Sequence, residues 1–225
     1  MKISVIIPAY NEEKYIGKTI QRLLEQEEKA EEIIVVDNNS KDKTAEIANG
    51  MGAKVVTETV QGMIPARNRG FNEANYEIIA RLDADTLVEK DWIKRIKEDF
   101  KDEELVGVSG PAYYYTFPKI LQSKSWPFRL YYLAIKRALK HDILFGPNMA
   151  IRKSAWEKVK NEVCLDDKKV HEDIDLSIHL AKYGKLKTDL NLTVATSARR
   201  WKTIYSFFIE YPIRLRKTLK SHNVK

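Results

Sequence analysis

The sequence predicts an α/β sandwich with a mainly parallel central sheet. Two observations carry that class. Short apolar runs alternate with amphipathic stretches of helical period from residue 3 to about residue 100. The runs are nearly continuous rather than alternating, as strands covered on both faces require. A third observation concerns function: polar and acidic residues recur just after these runs, at the carboxyl ends of strands, where ligands of open α/β sheets bind.

Taken in order, Ile3–Ile7 is the first expected strand, broken by Pro8, Ala9, Tyr10, Asn11 and Glu12. A helix is expected from about Glu13 to Glu28, with Ile16, Ile20, Leu23 and Leu24 on one face. Ile33–Val36 reads as a second buried strand ending at Asp37, followed by a loop with Asn38 and Asn39 and a short helix over Thr44–Ala48. Ala53–Val56 is a third strand, and Ile64–Ala74 a helix with Pro65 in its first turn. Ile78–Leu82 then runs directly into Asp83-Ala84-Asp85, before a helix from about Glu89 to Phe100. Two carboxylates one residue apart at a strand end suit a hard cation, Mn²⁺ or Mg²⁺. The plainer reading is a polar turn in which Asp85 caps the next helix. The convergence of Glu12, Asp37, Asp83 and Asp85 on one rim favours a ligand site.

The second half is less regular. Leu105–Pro111 reads as a strand, and residues 113–132 hold eight aromatics, read as a core helix plus hairpin or as an acceptor groove or membrane-facing surface. Leu144–Ala150, containing Gly146 and Asn148, reads as a turn-rich crossing, and Ser154 as the cap of a helix to about Lys160. A further helix opens at His171-Glu172-Asp173-Ile174-Asp175 and is expected to end at Gly184 as a C′ glycine. Its acids serve the helix dipole or, facing the rim, a general base. Lys185–Leu190 and Leu192–Ala195 complete the strands.

The bulk numbers bound the classes. With 225 residues, 44% hydrophobic and 32% charged, one large domain with an appendage is expected. The single cysteine, Cys164, excludes an internal disulfide. No apolar run is long enough to span a bilayer, and no signal peptide is evident at Met1-Lys2-Ile3. A cytoplasmic location follows as an expectation. Residues 199–225 carry eight basic side chains against Glu210, which accounts for the whole net charge of +7. This basic, aromatic tail, 201–225, is expected to be helical and either lies on the inner face of a membrane or packs on the domain. A nucleic-acid partner is not expected, because the body of the chain is neutral.

The ordered set Val5–Glu12, Val35–Asp42, Ala66-Arg67-Asn68, Leu82–Asp85, Gly146-Pro147-Asn148 and Glu172-Asp173 resembles the family 2 glycosyltransferases, inverting nucleotide-sugar enzymes with the GT-A fold. The resemblance implies a Rossmann-like three-layer catalytic domain over 1–200, with a donor half (1–110) and an acceptor half (111–200). It implies a UDP- or GDP-linked sugar donor and a glycan or lipid-linked acceptor. Asp37 would accept the N–H of the donor base beside the main chain of Pro8–Tyr10, and Arg67 would lie near base or diphosphate, unless it forms only a salt bridge on the helix surface. Asp83 would contact the ribose or a metal-bound water, Asp85 the cation, and Asp173 would be the base with Glu172 as substitute. Ser197-Ala198-Arg199-Arg200-Trp201 is similar to the Gln-x-x-Arg-Trp element of processive members, but Ser197 stands where Gln would be. Processive synthesis is therefore not expected, and Arg200 and Trp201, with Gly146 and Asn148, are acceptor or diphosphate candidates. Two other readings stay open: a nucleotide-sugar-binding or regulatory protein without turnover, and a nucleotidyltransferase. The latter is disfavoured because Pro8–Glu12 lacks the expected glycine-rich loop.

Overall fold

The computed structural model describes residues 1–116, 126–200 and 211–222. Its frame is a seven-stranded sheet built from β1 (Ile3–Ala9), β2 (Glu32–Asp37), β3 (Lys54–Thr57), β4 (Ile78–Leu82), β6 (Leu105–Ser109), β8 (Asn148–Arg152) and β9 (Lys185–Thr188), in the order β3-β2-β1-β4-β8-β6-β9. β1 pairs in parallel with β2 and β4, β2 with β3, and β6 with β9. All seven residues of β1 and all five of β4 are buried, as their apolar runs require. The two edge strands carry Lys54, Lys185 and Lys187, charges that discourage further strand addition.

Helices cover both faces. α1 (Ile16–Leu24), α2 (Thr44–Gly50) and α4 (Trp92–Asp99) share one apolar cluster with Ile3, Val5 and Ile7. α3 (Met63–Glu73), α6 (Lys153–Val159) and α7 (Glu172–Leu180) share another with Ile6 and Ile79. The alternation along β1 is the strand period of two, and it separates the faces of a three-layer sandwich. Gly70 of α3 lets that helix lie close on the sheet, since a Cβ there would stand 2.2 Å from Ile6 Cγ2. Helix α5 (Trp126–Leu139) and α8 (Tyr211–Ser221) meet α7 through Tyr132, Ile135, Ile174 and Leu215. The tail helix therefore packs on the domain over its described part. Among the described residues, no helix is long and apolar enough to cross a membrane.

Three local expectations are corrected. The turn-rich crossing continues as strand β8, which runs antiparallel to both neighbours, β4 and β6. Ser154 caps nothing, because α6 begins at Lys153 and has no side-chain cap bond. Gly184 is not a left-handed cap: α7 closes at Ala181, and Gly184 is required by packing, since a Cβ would stand 2.4 Å from Val106 Cγ1. Part of the aromatic stretch, residues 117–125, lies outside the described residues. A second, three-stranded sheet was not anticipated: β5 (Leu87–Val88), β10 (Val194–Thr196) and β7 (Ala112–Tyr114), in the order β5-β10-β7.

Candidate active site

The parallel strands end at one rim. Because β8 runs backwards, its start lies at that rim too, with Asn148 beside Leu82 in the register. A cavity of about 430 Å³ opens there, within the range of small-molecule sites. Pro8, Ala9 and Tyr10 form one wall, Asn38, Gln61, Gly62 and Met63 the other, and Glu12 and Arg199 the charged edge. The walls are held by local chemistry. Asn11 and Asn39 take positive φ, 54° and 67°, which asparagine tolerates better than most residues. Asn11 Oδ1 accepts the Lys41 N–H at 2.7 Å, and Asn39 Nδ2 donates to the Thr59 carbonyl at 2.8 Å. Asn38 donates to the carbonyls of Glu58 and Val60 and accepts the Gly62 N–H at 2.8 Å, which knits the second wall together. Asp37, at the end of β2, accepts the Ser40 N–H at 3.2 Å and does not itself line the cavity. Asp167 takes the Met63 and Ile64 N–H groups at 2.8 and 2.9 Å, capping α3 from a distant loop. Gly62, at φ 155°, leaves room for that carboxylate.

Asp83 and Asp85 follow β4 in a turn closed by the Thr86 N–H to the Asp83 carbonyl at 3.0 Å. The Ala84 carbonyl accepts the Thr19 hydroxyl at 2.8 Å, which pins the turn to α1. Both carboxylates are buried. The small sheet places Asp85's partners: the Thr196 hydroxyl at 3.3 Å and Arg199 Nε at 2.8 Å. Arg199 also donates through Nη2 to both carboxylate oxygens of Glu12, and its guanidinium stacks 4.4 Å from the Tyr15 ring centre. Burial opposes the Arg199 charge, but Glu12 and Asp85 outweigh it and raise its pKa. Asp83 and Asp85 offer oxygen donors only, the set a hard divalent cation prefers. The guanidinium already neutralises Asp85 from the cavity side, which shows that a positive charge is accommodated at that carboxylate.

A second network lies behind the first. Arg81, in the middle of β4, reaches Asp83 at 3.4 Å and hydrogen-bonds Glu172. Arg67 holds the other Glu172 oxygen at 2.7 Å and the Glu172 carbonyl at 3.0 Å. Both arginines are fully buried, so Arg67 is not the surface ion pair considered above, and its charge is spent on Glu172. Asp173 begins α7 beside them. Its carboxylate contacts His171 Nδ1 at 2.5 Å and accepts the N–H groups of Ile174 at 3.0 Å and Gly146 at 3.2 Å. Burial pushes the Asp173 carboxyl up, but His171, the Gly146 N–H and Arg81 outweigh it and hold it at about 2. Gly146 is tight here, since a Cβ would stand 3.3 Å from both Arg81 and Glu172.

The sequence candidates thus divide. Pro8, Ala9, Tyr10 and Glu12 line the cavity; Asp83 and Glu172 are joined through Arg81 and Asp85 to the cavity edge through Arg199, while Asp173, next to Glu172, is held by His171 and the Gly146 N–H. Asn148 is fully buried, its amide engaged by Trp92 Nε1 at 2.9 Å and the Leu192 carbonyl at 2.5 Å, so it is framework beneath the rim. Asp175 points away from the rim, towards Cys164 and His222. The Arg200 side chain and Trp201 lie outside the described residues. Arg199, Arg81 and Thr196 were missed. Only Arg81 had a signal: a charge inside an apolar strand demands a buried partner.

The model of the family described as "Glycosyl transferase family 2" matches residues 4–160. The chain belongs to this family. Among curated relatives, a probable glycosyltransferase YdaM of Bacillus subtilis is 31% identical over 211 residues, 81% of this chain and 47% of its own. A poly-beta-1,6-N-acetyl-D-glucosamine synthase of Staphylococcus epidermidis is 34% identical over 110 residues, 47% of this chain and 27% of its own. This family 2 chain therefore spans less than half the length of these relatives. Among solved structures, a mannosyltransferase of Pyrobaculum calidifontis in complex with GDP-Man and Mn²⁺ superposes with a TM-score of 0.80 at 20% identity, covering all of this chain and 64% of the other. Glucosyl-3-phosphoglycerate synthase of Mycobacterium tuberculosis, with Mn²⁺, UDP and glucosyl-3-phosphoglycerate, gives 0.67 at 16%, covering 100% and 81%. These likenesses establish the GT-A fold for this family 2 member.

Proposed function

We propose that the protein transfers a sugar from a UDP- or GDP-linked donor to an acceptor hydroxyl on a glycan or a lipid-linked sugar, with inversion at the anomeric carbon. The observation that carries this is the cavity at the rim with Glu12 and Arg199 at its edge and Asp85 held behind Arg199. The donor base rests against Pro8–Tyr10 and the Asn38 wall, with Asp37 behind it, so that residues 1–110 act as the donor half and 111–200 as the acceptor half. Asp85, assisted by Asp83, would hold Mn²⁺ or Mg²⁺. When bound, such an ion supplies Lewis-acid neutralisation of the leaving diphosphate. Asp173 is the base: the acceptor O–H proton passes to its carboxylate as the acceptor oxygen bonds to the anomeric carbon, and the C–O bond to the diphosphate breaks with its electron pair. It is ionised at neutral pH, and its pKa must rise from about 2, by loosening of the His171 contact, for it to draw the proton effectively. Glu172, gripped by Arg67 and Arg81, positions Asp173 rather than taking the proton. Membership of the family and solved neighbours carrying GDP-Man or UDP support the donor class.

The test is a thermal-shift panel of UDP-, GDP- and dTDP-sugars with Mn²⁺, followed by donor-hydrolysis assays. UDP or GDP should raise the melting temperature, because a ligand that binds only the folded state stabilises it. EDTA should reverse most of the rise, and Asp85→Ala should abolish nucleotide release. A protein that binds the donor yet never releases nucleotide would instead be a sensor on this scaffold, a reading favoured only by the Arg199 contact on Asp85.

A further inference from the structure

We propose that Asp175, His179 and His222 form a site for a borderline transition-metal ion of the zinc class, separate from the rim, that staples the C-terminal helix to the helix bearing Asp173. Each of the three offers one ligand atom, and these atoms lie within 4.8 Å of one another. Two imidazoles and a carboxylate are a donor set for Zn²⁺, whereas the all-oxygen pair at the rim suits Mn²⁺ or Mg²⁺. Asp175 and His179 stand four residues apart on α7, so one helical turn aims both side chains the same way. His222 arrives from the turn after α8, a helix already fixed by the His171 N–H to the Thr218 hydroxyl at 2.7 Å.

The distances bracket those of a loaded site. Asp175 Oδ1 stands 2.9 Å from His222 Nε2 and 3.9 Å from His179 Nε2. A tetrahedral ion bound at about 2.0–2.1 Å would set such ligand atoms about 3.3 Å apart. The two Asp175 separations lie about 0.4 and 0.6 Å from that spacing, and the His179 and His222 ligand atoms lie within 4.8 Å of each other. The surroundings match as well. Metal-bound histidines usually engage their other ring nitrogen with a carboxylate or carbonyl. Here His179 Nδ1 meets Glu162 Oε2 at 3.2 Å, leaving Nε2 for the ion, and Lys182 steadies Glu162 at 3.0 Å while standing 3.3 Å from the same ring nitrogen. Asp175 Oδ2 accepts the Cys164 N–H at 3.0 Å, leaving Oδ1.

The inference does not depend on the transferase reading, because its readouts need no turnover. The full chain, stripped with a chelator and exchanged into clean buffer, is titrated with Zn²⁺ by calorimetry and thermal shift, and with Co²⁺ by visible absorption. One Zn²⁺ per chain should remain in Asp85→Ala, with a raised melting temperature and tetrahedral Co²⁺ bands. His179→Ala and His222→Ala should each weaken it by at least about 100-fold, the upper end of the cost of an outer partner, and Glu162→Gln by about 10–100-fold. His222 lies beyond the last helix, so its variant tests the site even if His179→Ala fails to fold. Zn²⁺ bound equally by wild type and His222→Ala, or no binding and no Co²⁺ bands, would overturn the proposal.

Discussion

Two arginine networks border the same rim, and they differ in how they are closed. Around Glu172, Arg67 and Arg81 are both fully buried and issue from α3 and β4, elements of the central core. Around Asp85, Arg199 keeps a quarter of its side chain exposed and comes from a short segment after the small sheet. The first network cannot exchange its partners without opening the core. The second faces a cavity and can give way to another cation. The contrast separates a network locked into the core from one open to the cavity.

Breaking the closed network should have the largest effect. Arg81→Leu leaves Glu172 short of a partner in the interior, and the loss of one side of a buried ion pair costs about 3–5 kcal/mol. Urea unfolding should show it; a loss below about 1 kcal/mol would mean that the network is no more than decoration. A second test uses acid. Asp173 has a folded pKa of about 2 against an ordinary 3.8, so its contribution is present above 3.8 and is lost as pH falls through about 2. The difference corresponds to about 2 kcal/mol, to be read as a steeper fall of melting temperature between pH 4 and pH 2 in wild type than in Asp173→Asn. His171 works in the opposite sense: burial lowers its pKa, but Asp173 outweighs this and raises it above 6.5, so its contribution holds below 6.5 and fades as pH rises beyond. The smallest effect belongs to the open network. Arg199→Ala should cost less than Arg81→Leu, because the arginine is a quarter exposed although Glu12 and Asp85 are buried, and should tighten Mn²⁺ binding up to about fivefold by removing a competitor. Weaker Mn²⁺ binding in that variant would put Arg199 among the groups that support the ion.

The same contrast explains what could be read from the chain alone. β1, β2, β4 and the residues after them were legible because their signals are local: an unbroken apolar run, then a polar turn. The pairing of Arg199 with Asp85 was not, because 114 residues separate them and a charge in a basic tail looks like any other. β8 was hidden by its own beginning, where Gly146-Pro147-Asn148 signals a turn and masks the strand that starts at Asn148. Gly184 was misread because a glycine needed for close approach to Val106 has the same letter as a glycine needed for a left-handed cap.

The reversed strand also bears on how the chain must assemble. β8 sits between β4 and β6, so β4 has no neighbour on that side until residues 148–152 arrive. A nascent or clipped chain ending near residue 110 would therefore present an open, largely apolar sheet margin and an Arg81 still lacking Glu172, conditions that invite association with other chains. The early and late parts of the chain cannot be made apart: the molecule becomes one folding unit when a late segment is inserted into the middle of an early sheet.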